Sequence, residues 1–381
     1  MGNPIHYRPT KAIVDLQAIQ HNLKNLQKHL GPNVSIIAVA KANGYGHGAV
    51  EVAKTALASG AALVAVATPD EAVQLREAGI MGDILVLGPS PLQFADRAAA
   101  LGITVTVSST EWLRSVVEGR PSPSFQKKLK VHVKIDTGMG RIGIRDAGDL
   151  SALIQMIDNS GDVELDGVFT HFARADEEDP RHTEKQFKVF MDLVNRFPAK
   201  PRLVHAANSA AALLYPEYAL DAVRFGVSMY GLPPSAYVAE RLPFRLEKTI
   251  QLITELSHVK MMEKGNPISY GGTYETAGDE WIGTLPIGYA DGLRRSLQGQ
   301  DVLVGGQRAP IVGTICMDQC MVRLPREFPI GEPVVLIGTQ GDEEITMEEW
   351  AQRLDTIPYE IMVSFKERIP RIYATKNGQR V

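Results

Sequence analysis

Up to about residue 245, short apolar runs alternate with longer amphipathic stretches along the chain; after that, β-rich segments are separated by Gly and Pro turns. The runs at 35–41, 62–68, 83–88, 104–108, 130–137, 165–172, 203–208 and 222–229 are short candidate strands, and Ile36–Ala40 is apolar on both faces. That pattern predicts buried parallel strands. Between them lie helical stretches such as "TPDEAVQLREAG" and "DLSALIQMIDNSG", several ended by glycine. Eight such units predict a (β/α)8 TIM-like barrel rather than an open doubly wound sheet. No G-x-G-x-x-G follows the first strand, as a dinucleotide-binding sheet would require. From Ile250 on, "IQLITELSHVKMM", "EWIGTLPIGY", "DVLVGGQRAPIVGTICM" and "EPVVLIG" predict strands, and "ITMEEWAQRL" a helix. The expected fold class is therefore α/β + β: a barrel over residues 1–245, then a mostly-β domain over 246–381.

The length of 381 residues fits two domains. A net charge of -4 offers no electrostatic reason for nucleic acid or an anionic membrane as partner. The two cysteines, Cys316 and Cys320, exclude a disulfide scaffold and suit a reducing compartment. No second Cys/His pair accompanies them, so no metal is expected. "MGNPIHYRPTKAIVDL" has neither the apolar core of a leader nor an acylation signal, and no run reaches membrane-spanning length. A cytoplasmic protein is expected.

In an α/β barrel the chemistry lies where the strands end at their carboxyl termini. Strand 1 ends at Lys41, followed by Tyr45 and His47. Strand 5 holds Lys134 and Asp136, then a loop with Arg141; strand 6 ends at His171. Strand 7 offers Asn208 and Ser209, and strand 8 Arg224 with Gly226 and Val227. A lysine, two arginines, a histidine and a Ser/Gly pair point to an anionic ligand carrying a phosphate, because glycine lets backbone N–H groups approach closely. By position alone Lys41 is either a solvated charge at a strand end or an amine able to form a Schiff base.

The motifs "VAKANGYGHG", "KIDTGMGRIG", "GVFTHFARAD", "HAANSAA", "VRFGVSMYGL", "SYGGTY", "IGYADG" and "ICMDQCMV" stand in one order across nearly the whole chain. Together they resemble alanine racemases of the pyridoxal-phosphate, barrel-plus-β-domain type. The resemblance implies interconversion of L- and D-alanine by two bases, supplying D-alanine for peptidoglycan. Lys41 would carry the pyridoxal 5'-phosphate and act on one face of the substrate. Tyr270, contributed by the second subunit of a homodimer with shared sites, would act on the other. A phenol is a weak base unless its proton can be passed on, and His171 and Arg224 would supply that relay.

Arg224 would face the pyridine nitrogen. An arginine donates only, so it would leave the ring neutral, unlike the carboxylate of many pyridoxal enzymes. Tyr45, Asn208, Ser209, Gly226, Val227 and Tyr359 complete the implied cofactor site. Arg141 and the backbone of Met317 would hold the substrate carboxylate. Tyr289, Cys316 and Asp318 would line the site from the partner. Lys134 is either a carbamate orienting Arg141 or a plain lysine paired with Asp136. His47, His205 and Cys320 read as packing residues.

The chain departs from the family pattern at four places. Gly44 and Gly272 stand where alanine is expected, which would loosen the turns presenting Tyr45 and Tyr270. Thr314 stands where an arginine often lines the substrate entrance, and Arg174 would restore that charge. The alternatives to strict alanine chemistry are a broad-specificity racemase and a non-catalytic cofactor-binding barrel. Against the last stand the β domain and Tyr270, which a mere binder does not need.

Overall fold

A computed structural model of the chain describes residues 6–118 and 127–374. The opening residues up to Ile5, on which part of the acylation-signal reading rests, lie outside the described residues. The described chain falls into two compact units, one over Ala18–Lys248 and one that joins the residues before Ala18 to those from Thr249 on.

In the first unit, all eight expected strands form one parallel sheet. They are Ser35–Val39, Leu63–Val66, Asp83–Val86, Ile103–Val107, Leu129–Lys134, Val163–Phe169, Leu203–His205 and Ala222–Phe225. Each of the first six pairs with the next, as expected of consecutive βαβ units. The last pairs with the first, with Arg224 opposite Ile37. Between the seventh and eighth, two single bonds stand in for a ladder: Asp221 N–H to Val204 O (3.1 Å) and Arg224 N–H to Ala207 O (3.0 Å). The barrel is thus closed.

Local chemistry starts the surrounding helices. Thr68 caps Pro69–Glu77 in a capping box with Glu71, Pro69 filling a position whose N–H has no helical acceptor. Asp146 caps Ala147–Asn159 by accepting from Gly148 and Asp149. In Leu16–Leu30 the buried positions Ile19, Asn22, Leu23 and Leu26 follow helical spacing. Asn22 is buried because its amide ties the chain ends of this unit, donating to Met229 O and Glu247 O and accepting from Glu247 N–H.

The second unit holds a ten-stranded, mainly antiparallel sheet among the described residues. Here the structure departs from the expectation that residues 1–245 form one body. The strand Lys11–Asp15 lies between Ile250–Glu255 and Arg371–Ala374. Ala12 and Val14 bury one face of it, but a five-residue alternation does not say which sheet it joins. Helix Met347–Arg353, capped by Thr346, matches "ITMEEWAQRL"; a second helix, Pro358–Ser364, is too short to show a period. No described helix is long and apolar enough to cross a membrane.

Candidate active site

The strand Ser35–Val39 delivers Lys41 into an unusual turn. Ala42, Asn43, Gly44 and Tyr45 all have positive φ, between 50° and 62°. For Ala42 and Tyr45 this left-handed backbone costs about 1–2 kcal/mol each, so the surroundings must hold it. Ala42 N–H donates to Glu71 Oε1 (2.6 Å), and Ala49 N–H to Asn43 Oδ1 (2.9 Å). Gly44 N–H reaches Ala40 O, and Gly46 N–H reaches Ala42 O, both at 2.9 Å. Gly44 does not loosen this turn; it removes a methyl that would sit 3.1 Å from Val52 Cγ2 and 3.2 Å from Ala49 Cα. The Lys41 ammonium is disfavoured by burial and by Arg141 and Arg224, with Glu71 opposing, so its pKa falls below the usual lysine value.

Beside it is a cradle shaped for an anion. The Tyr45 phenol is buried, its ring 4.8 Å from that of Tyr230, and its hydroxyl has no hydrogen-bond partner among the described residues. Burial pushes its pKa up to about 12, so it stays a donor. Ser209 Oγ accepts from Gly226 N–H at 2.9 Å, leaving its own proton free to donate. A Cβ on Gly226 would meet Tyr45 Oη at 2.9 Å, so only glycine leaves the cradle open. Val227 begins a helical turn, Val227–Tyr230, whose first amides have no acceptor within it. The Tyr45 hydroxyl, a free Ser209 hydroxyl proton and open amides fit a phosphate, and Lys41, just beyond the strand Ser35–Val39, fits an aldehyde. Asn208 contributes indirectly: its side chain caps helix Ser209–Leu214 and donates to Phe172 O.

Arg224 is buried, and both of its Nη groups are engaged. Its Nη2 donates to Thr170 O (2.8 Å), Ala206 O (2.8 Å) and His171 Nδ1 (3.2 Å), and its Nη1 to His205 Nδ1 (2.9 Å). Burial and the charge of Arg141 lower its pKa to about 9. The same causes, burial first and then the neighbouring cations of Arg224, Lys134, Arg141 and Lys41, hold His171 neutral. Lys134, buried, donates to Ile135 O at 3.0 Å and lies 5.2 Å from the Phe169 ring. Burial and Arg224 bring its pKa down to about 7. Asp136 does not pair with it: one carboxylate oxygen accepts from Gly138 and Gly140 N–H, and the other faces Arg145 at 3.9 Å. Arg141 itself is exposed. Arg174, also exposed, faces Glu177 at 3.8 Å.

In the second unit, Tyr270, Tyr289, Arg295, Thr314, Ile315 and Cys316 line a cavity of about 330 Å³. Tyr270 is 75% exposed. Its turn is set by Ser269 at φ 66°, whose hydroxyl donates to Thr314 O at 2.6 Å. Thr314 Oγ1 in turn donates to Tyr270 O at 3.0 Å. Gly272, at φ 55°, lies where a Cβ would press on Pro267 at 3.2 Å. The backbone carbonyls of Cys316 and Met317 accept from Tyr289 and Ala290 N–H, pinning that loop. Asp318 is not in the cavity lining; it pairs with Arg368 at 2.8 Å. Tyr359 lies in helix Pro358–Ser364 of this unit.

The structure therefore brings Lys41, Tyr45, His171, Ser209, Arg224, Gly226 and Val227 to one end of the barrel, and Tyr270, Tyr289 and Cys316 to one cavity. Three residues in this network were not legible as functional. Glu71 holds the left-handed turn, and "TPDE" signals only its capping role. His205, expected as packing, is stacked flat on Phe169 at 4.9 Å and bonded to Arg224. His132 stands behind it, at 3.0 Å.

A family model described as alanine racemase, N-terminal domain, matches residues 14–234, and one described as alanine racemase, C-terminal domain, matches 249–373. Alanine racemase 1 of Bacillus subtilis is 46% identical over 378 residues, covering 99% of this chain and 96% of that protein. The crystal structure of alanine racemase from Bacillus anthracis with bound L-Ala-P superposes with a TM-score of 0.95 at 44% identity, over 99% of this chain and 98% of that one. A histidine racemase from Leuconostoc mesenteroides has the same fold, with a TM-score of 0.91 at 32% identity over 98% and 100% of the two chains.

Proposed function

The chain is an enzyme of the alanine racemase family, and from that membership we propose that it interconverts L- and D-alanine with pyridoxal 5'-phosphate and two opposed bases. What carries the reading is a desolvated amine, Lys41, beside a cradle in which the Ser209 hydroxyl proton stays free to donate and Gly226 leaves space beside the Tyr45 hydroxyl. When bound, pyridoxal phosphate supplies an electrophilic carbon for the substrate's amino group and a conjugated ring that accepts electron density from Cα.

Lys41 is assigned as covalent anchor and as base on one face; the lowered pKa leaves more of its Nζ neutral at physiological pH. Tyr45, Ser209, Gly226, Val227 and Tyr359 are assigned to the phosphate, with Asn208 setting the helix that carries Ser209. Arg224, a donor only, is assigned to the ring nitrogen, which therefore receives no proton. With the cofactor bound, an unprotonated ring would withdraw less electron density from Cα, which would favour prompt return of a proton over decarboxylation. The base on the other face is Tyr270 of the partner subunit, which makes the active form a homodimer. His171, accepting from Arg224 at Nδ1, keeps its proton on Nε2 and can orient that tyrosine. Arg141 and the amide of Met317 hold the substrate carboxylate, while Tyr289, Cys316 and Asp318 border the approach.

Lys134, with its pKa near 7, is nucleophilic enough at neutral pH to take up CO2. The resulting carbamate would bring a negative charge among Arg141 and Arg224. We place the enzyme in the cytoplasm, supplying D-alanine for peptidoglycan. A second reading, racemisation of larger amino acids, is favoured by Thr314 in the cavity wall and by the histidine racemase of the same fold.

The deciding experiment is incubation with L-alanine in D2O, followed by chiral separation and mass analysis. D-alanine carrying deuterium at Cα is expected. Cofactor-loaded protein that forms no D-alanine would overturn the alanine assignment, and turnover of histidine instead would establish the second reading.

A further inference from the structure

Arg224 is the visible end of a hydrogen-bonded chain through the barrel interior. Its Nη1 donates to His205 Nδ1 (2.9 Å), and His205 Nε2 meets His132 Nδ1 at 3.0 Å. His132 Nε2 meets Asp166 Oδ2 at 2.9 Å. Arg202, entering from the amino-terminal end of the strands, clamps Asp166 with Nε at 2.6 Å and Nη2 at 2.7 Å. His132 and His205 are fully buried, and Asp166 nearly so.

The direction of every bond follows from the two ends. An arginine only donates, so His205 Nδ1 must be a bare acceptor. Neutral His205 then carries its proton on Nε2 and donates to His132. His132 carries its proton on Nε2 and donates to a carboxylate that only accepts. Burial and the facing charges, Arg224 and Lys134 for His205, Arg202 and Arg224 for His132, hold both imidazoles neutral; Asp166 opposes this at His132 without reversing it. Asp166 stays ionised because bonds from His132 and Arg202 overcome its burial.

The backbone is built around this chain. Register between Leu129–Lys134 and Val163–Phe169 slips at His132, so that Asp166 is the residue left unopposed. Such a bulge re-aims a side chain. The next residue is Gly167, where a Cβ would strike His132 Cε1 and Leu203 O, both at 2.7 Å.

We propose that Asp166 and His132 are positioning residues for racemisation: they fix the tautomer of His205, and so keep a lone pair rather than an N–H facing Arg224. Without Asp166, nothing dictates where the His132 proton sits. A proton on His205 Nδ1 would push Arg224 off its place. The kinetic part of this proposal rests on the assignment of Arg224 to the ring nitrogen.

The test is 15N NMR of histidine-labelled enzyme, with and without pyridoxal phosphate, beside kinetics of Asp166→Asn. In the native protein His132 and His205 should both be neutral Nε2–H tautomers from pH 7.5 to 9. Either ring protonated on Nδ1, or titrating in that window, overturns the proposal. In Asp166→Asn, mixed tautomers at His205 should accompany a roughly tenfold lower kcat, an alanine KM changed less than twofold and an altered absorption of the bound cofactor. Mixed tautomers with unchanged kcat and absorption overturn the positioning role. Should Asp166→Asn fail to fold, the native spectrum and Arg202→Gln, altered at a half-exposed site, decide in its place. Failure of the native protein to take up pyridoxal phosphate would instead count against the proposed function, since the tautomers are read without it.

Discussion

Replacing Gly226 by alanine tests the cradle most directly. The new Cβ would lie 2.9 Å from Tyr45 Oη, closer than carbon and oxygen tolerate. The phenol has little room to retreat, being buried with its ring 4.8 Å from that of Tyr230. Overpacking of this kind costs about 1–3 kcal/mol. The clash rests on one atom, however. Behind the hydroxyl the next contacts, Tyr45 Cζ at 3.6 Å and Val39 Cβ at 3.7 Å, are ordinary. Tyr45→Phe removes that atom, so Gly226→Ala/Tyr45→Phe should regain most of the loss. Tyr45→Phe alone should leave cofactor-free stability nearly unchanged, since its hydroxyl has no protein partner to lose. It should weaken pyridoxal phosphate by about 1.5–3 kcal/mol, the worth of one bond to a charged group, or at least tenfold. The assay is urea unfolding of the cofactor-free proteins in a double-mutant cycle, with cofactor titration alongside. A coupling energy below about 0.5 kcal/mol would refute the geometry argued for the cradle.

Two further outcomes are expected. Lys134 has a folded pKa of about 7, well below its unfolded value, so above pH 7 the unfolded chain binds more protons there and stability rises with pH. In CO2-free buffer, native protein should gain on Lys134→Met by up to about 1.4 kcal/mol per pH unit between pH 7 and 10, a gain lost as pH falls back to 7; a flat difference would show Lys134 charged throughout. Co-expression of Lys41→Ala with Tyr270→Phe chains should produce mixed dimers with one intact site and clear activity where either variant alone has almost none, and inactive mixed dimers would refute sharing.

Much of the site was legible because it follows from position on a strand. Lys41, His171, Ser209 and Arg224 stand at or just beyond strand ends, and a parallel barrel gathers such ends on one face whatever the details of packing. Tyr45 was legible as a neighbour of Lys41, but not its left-handed backbone. That conformation depends on Glu71, a residue 29 positions beyond Ala42, whose sequence context shows only a helix cap. His205 reads as packing because an apolar neighbourhood is all that "LVHAAN" displays. Its bond to Arg224 needs strands seven and eight side by side.

By itself, then, the sequence determined the eight apolar strands, the helices with their caps, the change to a β-rich second part and the order of the chemically able residues. These depend on periodicity and on turn and cap chemistry, which act over a few neighbours. Tertiary structure alone decided that Lys11–Asp15 leaves the barrel for the other sheet. It also decided that Asp166 faces His132 and that Arg224 is held by His205 and His171. Those outcomes turn on the register of distant strands and on a one-residue bulge between two of them. A shift of one residue there would send the same side chains to the opposite face, and no local pattern records which register is adopted.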